Sequence, residues 1–378
     1  MPAPNAAPEP PAPQGPSDPS APEVPSGSCT RLAPSASSAP VGPSVPATHR
    51  EVRLAARLRG ALGPEHFTLA EAPVPAAGPG RLLVRNRVMT VTAAMCSKMT
   101  DAELPMPSFV PGQALWGPAL GEVVQTSGGG FVPGDLVVHP YGWREFAVVE
   151  EGRARRVEPG ELPDSAAYLS QGATAWGALT RAARVRPDDT VFVTGAAGGV
   201  GSTAGLIAKR LGAARVIGST GSAHKAPYLR EALGYDDVVL RGAGPVEEQL
   251  RRAAPDGIDV LLDLVGGEQL RAALAVARTG ARFALVGALS EQLGGGAGRS
   301  APAEVDSLLM VTRRVTLRGF SMVDHPDLPQ EWTAEFGRGL RDGSLVFART
   351  LVRGLDQAPR ALCELTRGCH TGAVLVEL

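Results

Sequence analysis

Two different spacings of hydrophobic residues divide the chain. Between about residue 50 and residue 165, short alternating apolar runs are separated by Gly and Pro, as in "RLLVRNRVMTV", "LGEVVQTS" and "REFAVVE". Alternation with a period of two, broken by closely spaced turn residues, is typical of strands in an antiparallel barrel or sandwich. This part of the chain is therefore predicted to form a small β domain.

After this part, helical patterns alternate with buried strands. The segment "PDSAAYLSQGATAWGALTRAAR" is predicted to be helical, with Asp164 or Ser165 as its cap. The strand "TVFVTG", the helix "GGVGSTAGLIAKRLG" and the strand "ARVIGST" follow, and the alternation continues to the helix "EQLRAALAVARTG" and the strand "ARFALVGA". Such alternation predicts βαβ units on a parallel sheet. The segment "RRVTLRGFSM", an amphipathic helix and the strand "GAVLVEL" close the chain.

The predicted fold class is α/β, with a β-rich catalytic domain and a doubly wound, Rossmann-type nucleotide-binding domain. The predicted domains are a Pro/Ala-rich disordered tail at 1–49, a catalytic domain at 50–170, a Rossmann domain at 171–312 and a return to the catalytic domain at 313–378. The tail holds fourteen of the 34 prolines and too few large apolar residues to offset the entropy of ordering. An alternative is that translation starts downstream of Met1.

Composition excludes several classes of protein. The net charge is −1, so nucleic acid is not an expected partner. No apolar run reaches the length of a membrane span, and the first residues lack the features of a signal peptide. The cysteines follow no disulfide pattern, which predicts a reducing, cytoplasmic location; they are Cys29, Cys96, Cys363 and Cys369.

A glycine-rich turn carries the strongest chemical signal. Ala196, Gly198 and Gly201 follow a predicted strand and precede a helix, as in the dinucleotide-binding fingerprint. Gly198 would let the backbone approach a pyrophosphate, Gly201 would let the helix pack closely on the strand, and the helix N-terminus would attract the anion. The alternative is a tight strand–helix turn that holds no ligand.

The next strand and turn indicate which dinucleotide is bound. NAD sites usually place an acid about 20 residues after the glycines, but here the chain reads "VIGSTGSAHK". A 2′-phosphate could bind Ser222 and Lys225, with Arg241 beyond the following strand. This favours NADPH over NADH, although Lys225 could also be a solvated helix residue.

Two other classes of dehydrogenase fit the sequence poorly. A short-chain dehydrogenase needs a Tyr-x-x-x-Lys pair, and no tyrosine has a lysine four residues later. A catalytic zinc needs three protein ligands, but Cys96 has no partner motif and His139 is a lone candidate that is more often a packed residue. We therefore predict no metal site.

The order of motifs resembles the zinc-independent medium-chain dehydrogenases/reductases, within them the prostaglandin reductase and curcumin reductase group. The matching pieces run from about residue 51 to the end and include "ALGEVVQTSGGGFVPGDLVV", "GATAWGAL", "TGAAGGVG", "IDVLLDLVGGE" and "FALVGALS". The resemblance implies a GroES-like β-barrel beside the Rossmann domain and a homodimer. It also implies that NADPH delivers hydride to the β-carbon of an α,β-unsaturated carbonyl without a metal.

The resemblance also implies roles for individual residues. Those expected to hold the pyrophosphate are Gly198, Gly199, Val200, Gly201 and Ser202, with Lys225 on the 2′-phosphate. Those expected around the nicotinamide are Gly287, Ala288 and Leu289, with Phe320, Ser321 and Met322 closing over it. The expected substrate pocket comprises Ala94, Tyr141, Trp143 and Trp176.

Several positions depart from the family pattern. Gln292 stands where the family loop carries a tyrosine, and Leu264 and His370 stand where asparagines are usual. The pocket should therefore be wider, and the usual hydroxyl partner of the enolate is missing. Gln292 could donate a hydrogen bond, and Glu291 could supply a proton if burial raised its pKa; these two are the candidate catalytic residues.

Three functions remain open at this point. The first is an NADPH-dependent reductase of a bulky enone, such as a natural product. The second is a reductive cyclase, in which the enolate attacks a second unsaturated carbon of a polyene before a proton arrives. The third is an NADPH-binding homologue without catalysis.

Overall fold

The computed structural model describes residues 45–102, 106–289 and 303–378. Their strands, in chain order, are β1 (Thr48–Leu54), β2 (Phe67–Pro73), β3 (Arg81–Val91), β4 (Ala119–Thr126), β5 (Leu136–His139), β6 (Phe146–Glu150), β7 (Arg155–Arg156), β8 (Thr190–Val193), β9 (Arg215–Thr220), β10 (Asp237–Leu240), β11 (Ile258–Asp263), β12 (Ala277–Leu285), β13 (Thr316–Gly319), β14 (Arg349–Arg353) and β15 (Ala373–Glu377).

The α-helices of the same ranges connect or flank these strands. They are α1 (Ala94–Lys98), α2 (Gly172–Gly177), α3 (Gly201–Arg210), α4 (Ala226–Ala232), α5 (Val246–Ala253), α6 (Glu268–Ala275), α7 (Ser307–Arg313), α8 (Leu328–Asp342) and α9 (Ala358–Thr366). The predicted cap Asp164 accepts a hydrogen bond from the amide of Ala166 at 2.8 Å and begins a short 3₁₀ turn before α2. None of these helices is both long and apolar enough to cross a bilayer.

The amino-terminal part folds around a mostly antiparallel β-sheet. Its strand order is β14-β15-β3-β4-β5-β7, with β6 also paired to β3, and β1 pairs with β2 in a separate hairpin. The carboxyl-terminal strand β15 pairs antiparallel with β3 and parallel with β14. The last segment of the chain therefore returns to the β domain, and its two apolar strands complete the sheet.

The middle of the chain forms a six-stranded parallel sheet in the order β10-β9-β8-β11-β12-β13. Strands β8 and β11 are buried on both faces, because Val191 and Val193 pack into one apolar cluster and Phe192 into another. Continuous apolar strands covered by helices on both faces are the pattern of a doubly wound fold. The predicted fold class is confirmed.

Two boundaries differ from the sequence-based expectation. Residues 277–280 were expected in a helix but begin β12, where the pairing with β11 shifts register after Ile258 and Gly280 has a φ of +81°. The Ala- and Val-rich run that leads into these residues fits both a helical and a strand period, and the register shift against β11 makes residues 277–280 part of the strand. Strand β13 lies beyond residue 312, the predicted limit of the Rossmann domain, yet it pairs with β12 in the parallel sheet. The division into domains otherwise stays a prediction.

Candidate functional site

The carboxyl ends of β8, β9, β11 and β12 open into one cleft of about 550 Å³. Strand β9 lies on one side of β8 and β11 on the other. The cleft therefore lies at the point where the strand order reverses, which is where α/β folds bind ligands. The β domain supplies the opposite wall through residues 92–94, before α1, and through residues 365–374, at the end of α9 and beyond.

The turn between β8 and α3 presents a free backbone donor to this cleft. Gly198, Gly199 and Val200 line the cleft. In the part of the chain that the structure describes, the amide of Val200 donates to no acceptor, whereas the bridge between Gly198 and Gly372 directs the Gly199 amide at the Gly372 oxygen. A Cβ at Gly198 would meet only the Gly195 oxygen, at 3.4 Å, so its face stays open. A free amide beside an open glycine at a helix N-terminus fits a bound pyrophosphate.

Tight packing beneath the turn fixes its position. A Cβ at Gly201 would lie 2.7 Å from Cα of Ala196, so only glycine allows α3 to begin there. The hydroxyl of Thr194 donates to Oδ1 of Asp263 at 2.7 Å and accepts from the Leu264 amide at 2.7 Å, which joins the ends of β8 and β11.

Ser202 does not reach the ligand side of the turn. Its side chain is buried, its amide donates to the Gly198 oxygen at 2.8 Å, and its hydroxyl donates to the Gly199 oxygen at 3.3 Å. The prediction that Ser202 holds the pyrophosphate is corrected by these bonds, because both of its donors are already satisfied. Ser202 and Gly201 support the turn from below.

Cationic side chains gather at the end of the cleft beyond β9. Ser222, Lys225 and Arg241 all line it, and no Asp or Glu is among its described lining residues. The Lys225 ammonium donates to the Gly368 oxygen at 2.6 Å and to the His370 oxygen, and burial lowers its pKa. A bound lysine and an exposed arginine without a carboxylate fit the extra phosphate of an NADP-type cofactor.

The other end of the cleft is mostly apolar. Gly287 and Leu289 line it from the end of β12, facing Ala94 of the β domain. A Cβ at Gly287 would lie 2.8 Å from the Leu264 oxygen, so this close approach requires glycine. The polar side chains here belong to Thr92, Gln171 and Thr174. Gln292 and Glu291 lie outside the described residues.

Several predicted site residues do not line this cleft. Ala288 is not among the lining residues, although its neighbours Gly287 and Leu289 are. Phe320 stacks on His325 with ring centroids 5.1 Å apart, and Ser321 and Met322 follow it outside the cleft. The Phe320 ring packs against Gly177, because a Cβ on Gly177 would lie 2.5 Å from Phe320 Cζ.

The predicted aromatic substrate pocket is also corrected. Trp143 is fully buried in the β-domain core and stacks on Phe67, with centroids 6.3 Å apart. The Tyr141 hydroxyl donates to Glu150 at 2.9 Å. The Trp176 indole packs against α8, donating to Glu331 at 2.6 Å. Of the four predicted pocket residues, only Ala94 lines the cleft.

Sequence reasoning missed lining residues from distant parts of the chain. Gln171, directly before α2, lies over the turn, because a Cβ at Gly199 would collide with its carboxamide. Arg367 and Gly368 line the cleft from the end of α9. A polar residue at a helix start gave a weak signal for Gln171. Nothing local marked the segment after α9, because its role depends on the return of the chain.

Two family models match the chain. The model described as "N-terminal domain of oxidoreductase" matches residues 50–157, and the model described as "Zinc-binding dehydrogenase" matches residues 199–336. The first covers β2 to β7 and most of β1, and the second runs from the end of the glycine turn through β9 to β13 and into α8. Residues 158–198, which include β8 and the first part of the turn, and the segment after α9 lie outside both matches.

The described donors do not fit the zinc site that the second description implies. Within residues 45–102, 106–289 and 303–378, no group of three or more His, Cys, Asp or Glu is placed to hold a metal ion, whereas a catalytic zinc needs three protein ligands. Cys96 and His139 are both buried, and neither belongs to such a group.

The similar proteins are NADP-dependent reductases. YfmJ of Bacillus subtilis (strain 168), whose name describes it as an NADP-dependent oxidoreductase, is 32% identical over 337 residues, which cover 88% of this chain and 98% of YfmJ. The NADPH-dependent curcumin reductase of Escherichia coli (strain K12) is 29% identical over 86% of this chain and 95% of its own.

The solved structure of CurA from Vibrio vulnificus superposes with a TM-score of 0.80 at 28% identity, covering 87% of this chain and 98% of CurA. CurA in complex with NADPH gives a TM-score of 0.79. The chain belongs to the medium-chain dehydrogenase/reductase family, in the group that contains the curcumin and prostaglandin reductases.

Proposed function

We propose that this chain is an NADPH-dependent reductase that acts on the C=C bond of a bulky α,β-unsaturated carbonyl compound. The observation that carries the proposal is a cleft with an open glycine turn and a free amide at its centre, cations at one end and an apolar surface at the other. Relatives with this fold include a curcumin reductase, a 2-alkenal reductase and a (+)-pulegone reductase. Each of these names describes the reduction of an unsaturated carbonyl compound.

NADPH is the cofactor that the site fits. When bound, it supplies the hydride equivalent for reduction of the double bond. The free amide of Val200 would hold its pyrophosphate above the open face of Gly198, and Lys225 and Arg241 would balance the charge of the 2′-phosphate. Gly287 and Leu289 would lie beside the nicotinamide. Since no described carboxylate lines the cleft, nothing there would repel the extra phosphate.

The apolar end supports a large substrate. Ala94 and Val374 form part of the β-domain wall, and Leu264, Val286 and Leu289 form part of the facing wall. None of the described lining residues at this end is aromatic, and the aromatic side chains expected there pack elsewhere. Apolar walls would exclude water from the reacting carbons, and the hydroxyl of Thr92 or Thr174 or the amide of Gln171 could donate to the carbonyl oxygen.

One observation favours reductive cyclisation as a second candidate. Among the described residues at the apolar end, none has a side chain that titrates near neutral pH; the polar ones are Thr92, Gln171 and Thr174. An enolate there would have hydrogen-bond donors but no acid, and slow protonation leaves time for the enolate carbon to attack a second unsaturated carbon. The same lining is compatible with protonation by water.

The two candidates are separated by their products. Purified protein is incubated with [4-²H]NADPH and, in turn, a small alkenal, a polycyclic enone and an enone that carries a second conjugated acceptor. Plain reduction predicts a product that has gained one deuterium, on the β-carbon, and one hydrogen, and that has no new ring. It also predicts faster turnover of the polycyclic enone. A new ring in the third substrate supports cyclisation. Absence of NADPH oxidation with every acceptor would contradict both.

A homodimer is proposed as the assembly. Strand β13 is an edge of the described parallel sheet, and an edge strand exposes unpaired backbone groups. Beside it, Leu308 and Val311 of α7 are 69% and 73% exposed. A second copy could cover both features. Cys96 and Cys363 are unbridged, which fits the proposed cytoplasmic location.

A further inference from the structure

The cationic end of the cleft is formed by two walls from different parts of the chain. Ser222, Lys225 and Arg241 belong to the parallel-sheet side. Residues 365–368 and His370, at and after the end of α9, form the facing wall. The sequence predictions placed cofactor-binding charge only on the first wall.

Hydrogen bonds from the Lys225 side chain and from the backbone of Gly372 hold the two walls together. The Lys225 ammonium donates to the Gly368 oxygen at 2.6 Å and to the His370 oxygen. The Gly372 amide donates to the Ala197 oxygen at 2.9 Å, and Gly372 forms a bridge with Gly198 of the turn. The segment after α9 is therefore fixed against both the glycine turn and Lys225.

These contacts leave Lys225 with little capacity for a phosphate. An ammonium group has three donors, and two of them are bound to the carbonyl oxygens of Gly368 and His370. One remaining donor cannot satisfy the several oxygens of a phosphate dianion. Ser222 and Arg241 are the other donors of the parallel-sheet wall, and a donor on the facing wall close to Lys225 would let the phosphate be bound from both sides.

Arg367 has the position and the free donors that this requires. It precedes Gly368 directly, lines the cleft and is exposed. Its neighbour Glu364 pairs instead with Arg360 at 2.7 Å and lies 3.3 Å from Nε2 of His370. No described carboxylate forms an ion pair with Arg367, and a guanidinium can bind phosphate with two parallel hydrogen bonds.

We infer that Arg367 binds the 2′-phosphate of NADPH from the wall opposite Arg241, and that it determines the preference for NADPH over NADH. This inference rests on the proposed function, because it assigns a residue to the cofactor of that function. The 2′-phosphate would lie between cations of both walls. Cofactor binding would then strengthen the contact between the parallel sheet and the segment after α9.

The test measures binding without turnover. Dissociation constants of NADPH, NADH and 2′,5′-ADP are determined by fluorescence titration and calorimetry for the wild type, Arg367→Ala and Arg367→Lys. Loss of a charged hydrogen-bond donor should weaken NADPH and 2′,5′-ADP by roughly tenfold to a hundredfold, leave NADH within about twofold, and be partly restored by lysine. Arg353→Ala removes an exposed arginine of β14 that pairs with Glu377 outside the cleft; it is the matched control and should bind all three ligands like the wild type.

The outcomes separate this inference from the proposed function. If the wild type prefers NADPH and Arg367→Ala binds it equally well, the inference is wrong and the proposed function stands. An equal loss for NADPH and NADH would also overturn it, because Arg367 would then act away from the 2′-phosphate. A wild type that binds neither dinucleotide would overturn both. Thermal unfolding of each variant without ligand checks that the fold is retained.

Discussion

At the scale of single residues, burial decides the chemistry of His139. Its Nδ1 accepts a hydrogen bond from the Tyr141 amide at 3.2 Å, while Nε2 has no partner in the described part of the chain. Burial, and to a lesser extent the charge of Arg144, lower its pKa from 6.5 to about 3. The imidazole therefore stays neutral in the folded protein over a pH range in which it is protonated in the unfolded chain.

This residue should make folding stability depend on pH. Below pH 6.5 the unfolded chain binds a proton at His139 that the folded chain does not, so stability falls as the pH falls from 6.5 towards 3. The loss is at most about 1.4 kcal/mol per pH unit. His139→Asn keeps an acceptor for the Tyr141 amide but does not titrate. Its free energy of unfolding, measured with urea at pH 7, 6 and 5, should fall less steeply than that of the wild type. Parallel pH profiles would contradict this account.

Local sequence was most informative where it dictates backbone geometry. Gly198, Gly199, Ser222, Lys225 and Arg241 all line the cleft, and their role in binding a cofactor stays a prediction. The position of Trp143 was not predicted, because its sequence context is the same for a pocket loop and for a core position. The structure places it at a φ of 66° with its ring buried. Burial depends on the strands that pack over a side chain, which its neighbours in sequence do not reveal.

At the scale of elements, two glycines of one turn have separable roles. Gly201 is required by packing, because a Cβ there would lie 2.7 Å from Cα and 2.9 Å from the carbonyl carbon of Ala196, which are backbone atoms. Gly198 faces the cleft, and a Cβ there would make only an ordinary contact at 3.4 Å. The first glycine positions α3 against the sheet, and the second leaves room for a ligand.

Alanine substitutions should distinguish these roles. Gly201→Ala is expected to lower the free energy of unfolding by about 1–3 kcal/mol, as for other overpacked sites, and to weaken NADPH binding as the turn shifts. Gly198→Ala should leave the unfolding free energy within about 0.5 kcal/mol and raise the Kd for NADPH at least roughly tenfold, because its methyl group occupies the cofactor's approach. Urea unfolding and fluorescence titration measure the two effects. Equal stability of both variants would refute the packing role of Gly201.

Element types were predicted better than element limits. The alternation of apolar strands with helices was sufficient to predict the order β8-α3-β9-α4 along the chain, because the hydrophobic period of each element extends over several residues. The start of β12 was missed, because residues 277–280 satisfy a helical period and only the register shift against β11 makes them a strand. Such a shift depends on a partner strand that is distant in sequence.

At the scale of the whole molecule, the site depends on the chain leaving the β domain and returning to it. Strand β15 completes the β-domain sheet beside β3, and the segment before it contacts the glycine turn through Gly372. The sequence predicted this return, since "GAVLVEL" reads as a strand. It did not predict that the segment would form one wall of the cleft, because this requires the relative position of two domains.

The proposed assembly is also a property of the whole molecule. If a second copy covers β13 and α7, wild-type protein should have twice the mass of the chain in light scattering after size exclusion. Leu308→Asp/Val311→Asp places two charges on the most exposed apolar positions of α7 and should yield the monomer, since burying unpaired carboxylates at an interface is unfavourable.

Val132→Asp, at a position that is 60% exposed on the β domain, is the matched control and should remain dimeric. A double variant that keeps the wild-type mass would exclude α7 from the interface, and a monomeric wild type would refute the dimer. Because neither α7 residue lines the cleft, the monomer should retain NADPH affinity close to that of the wild type.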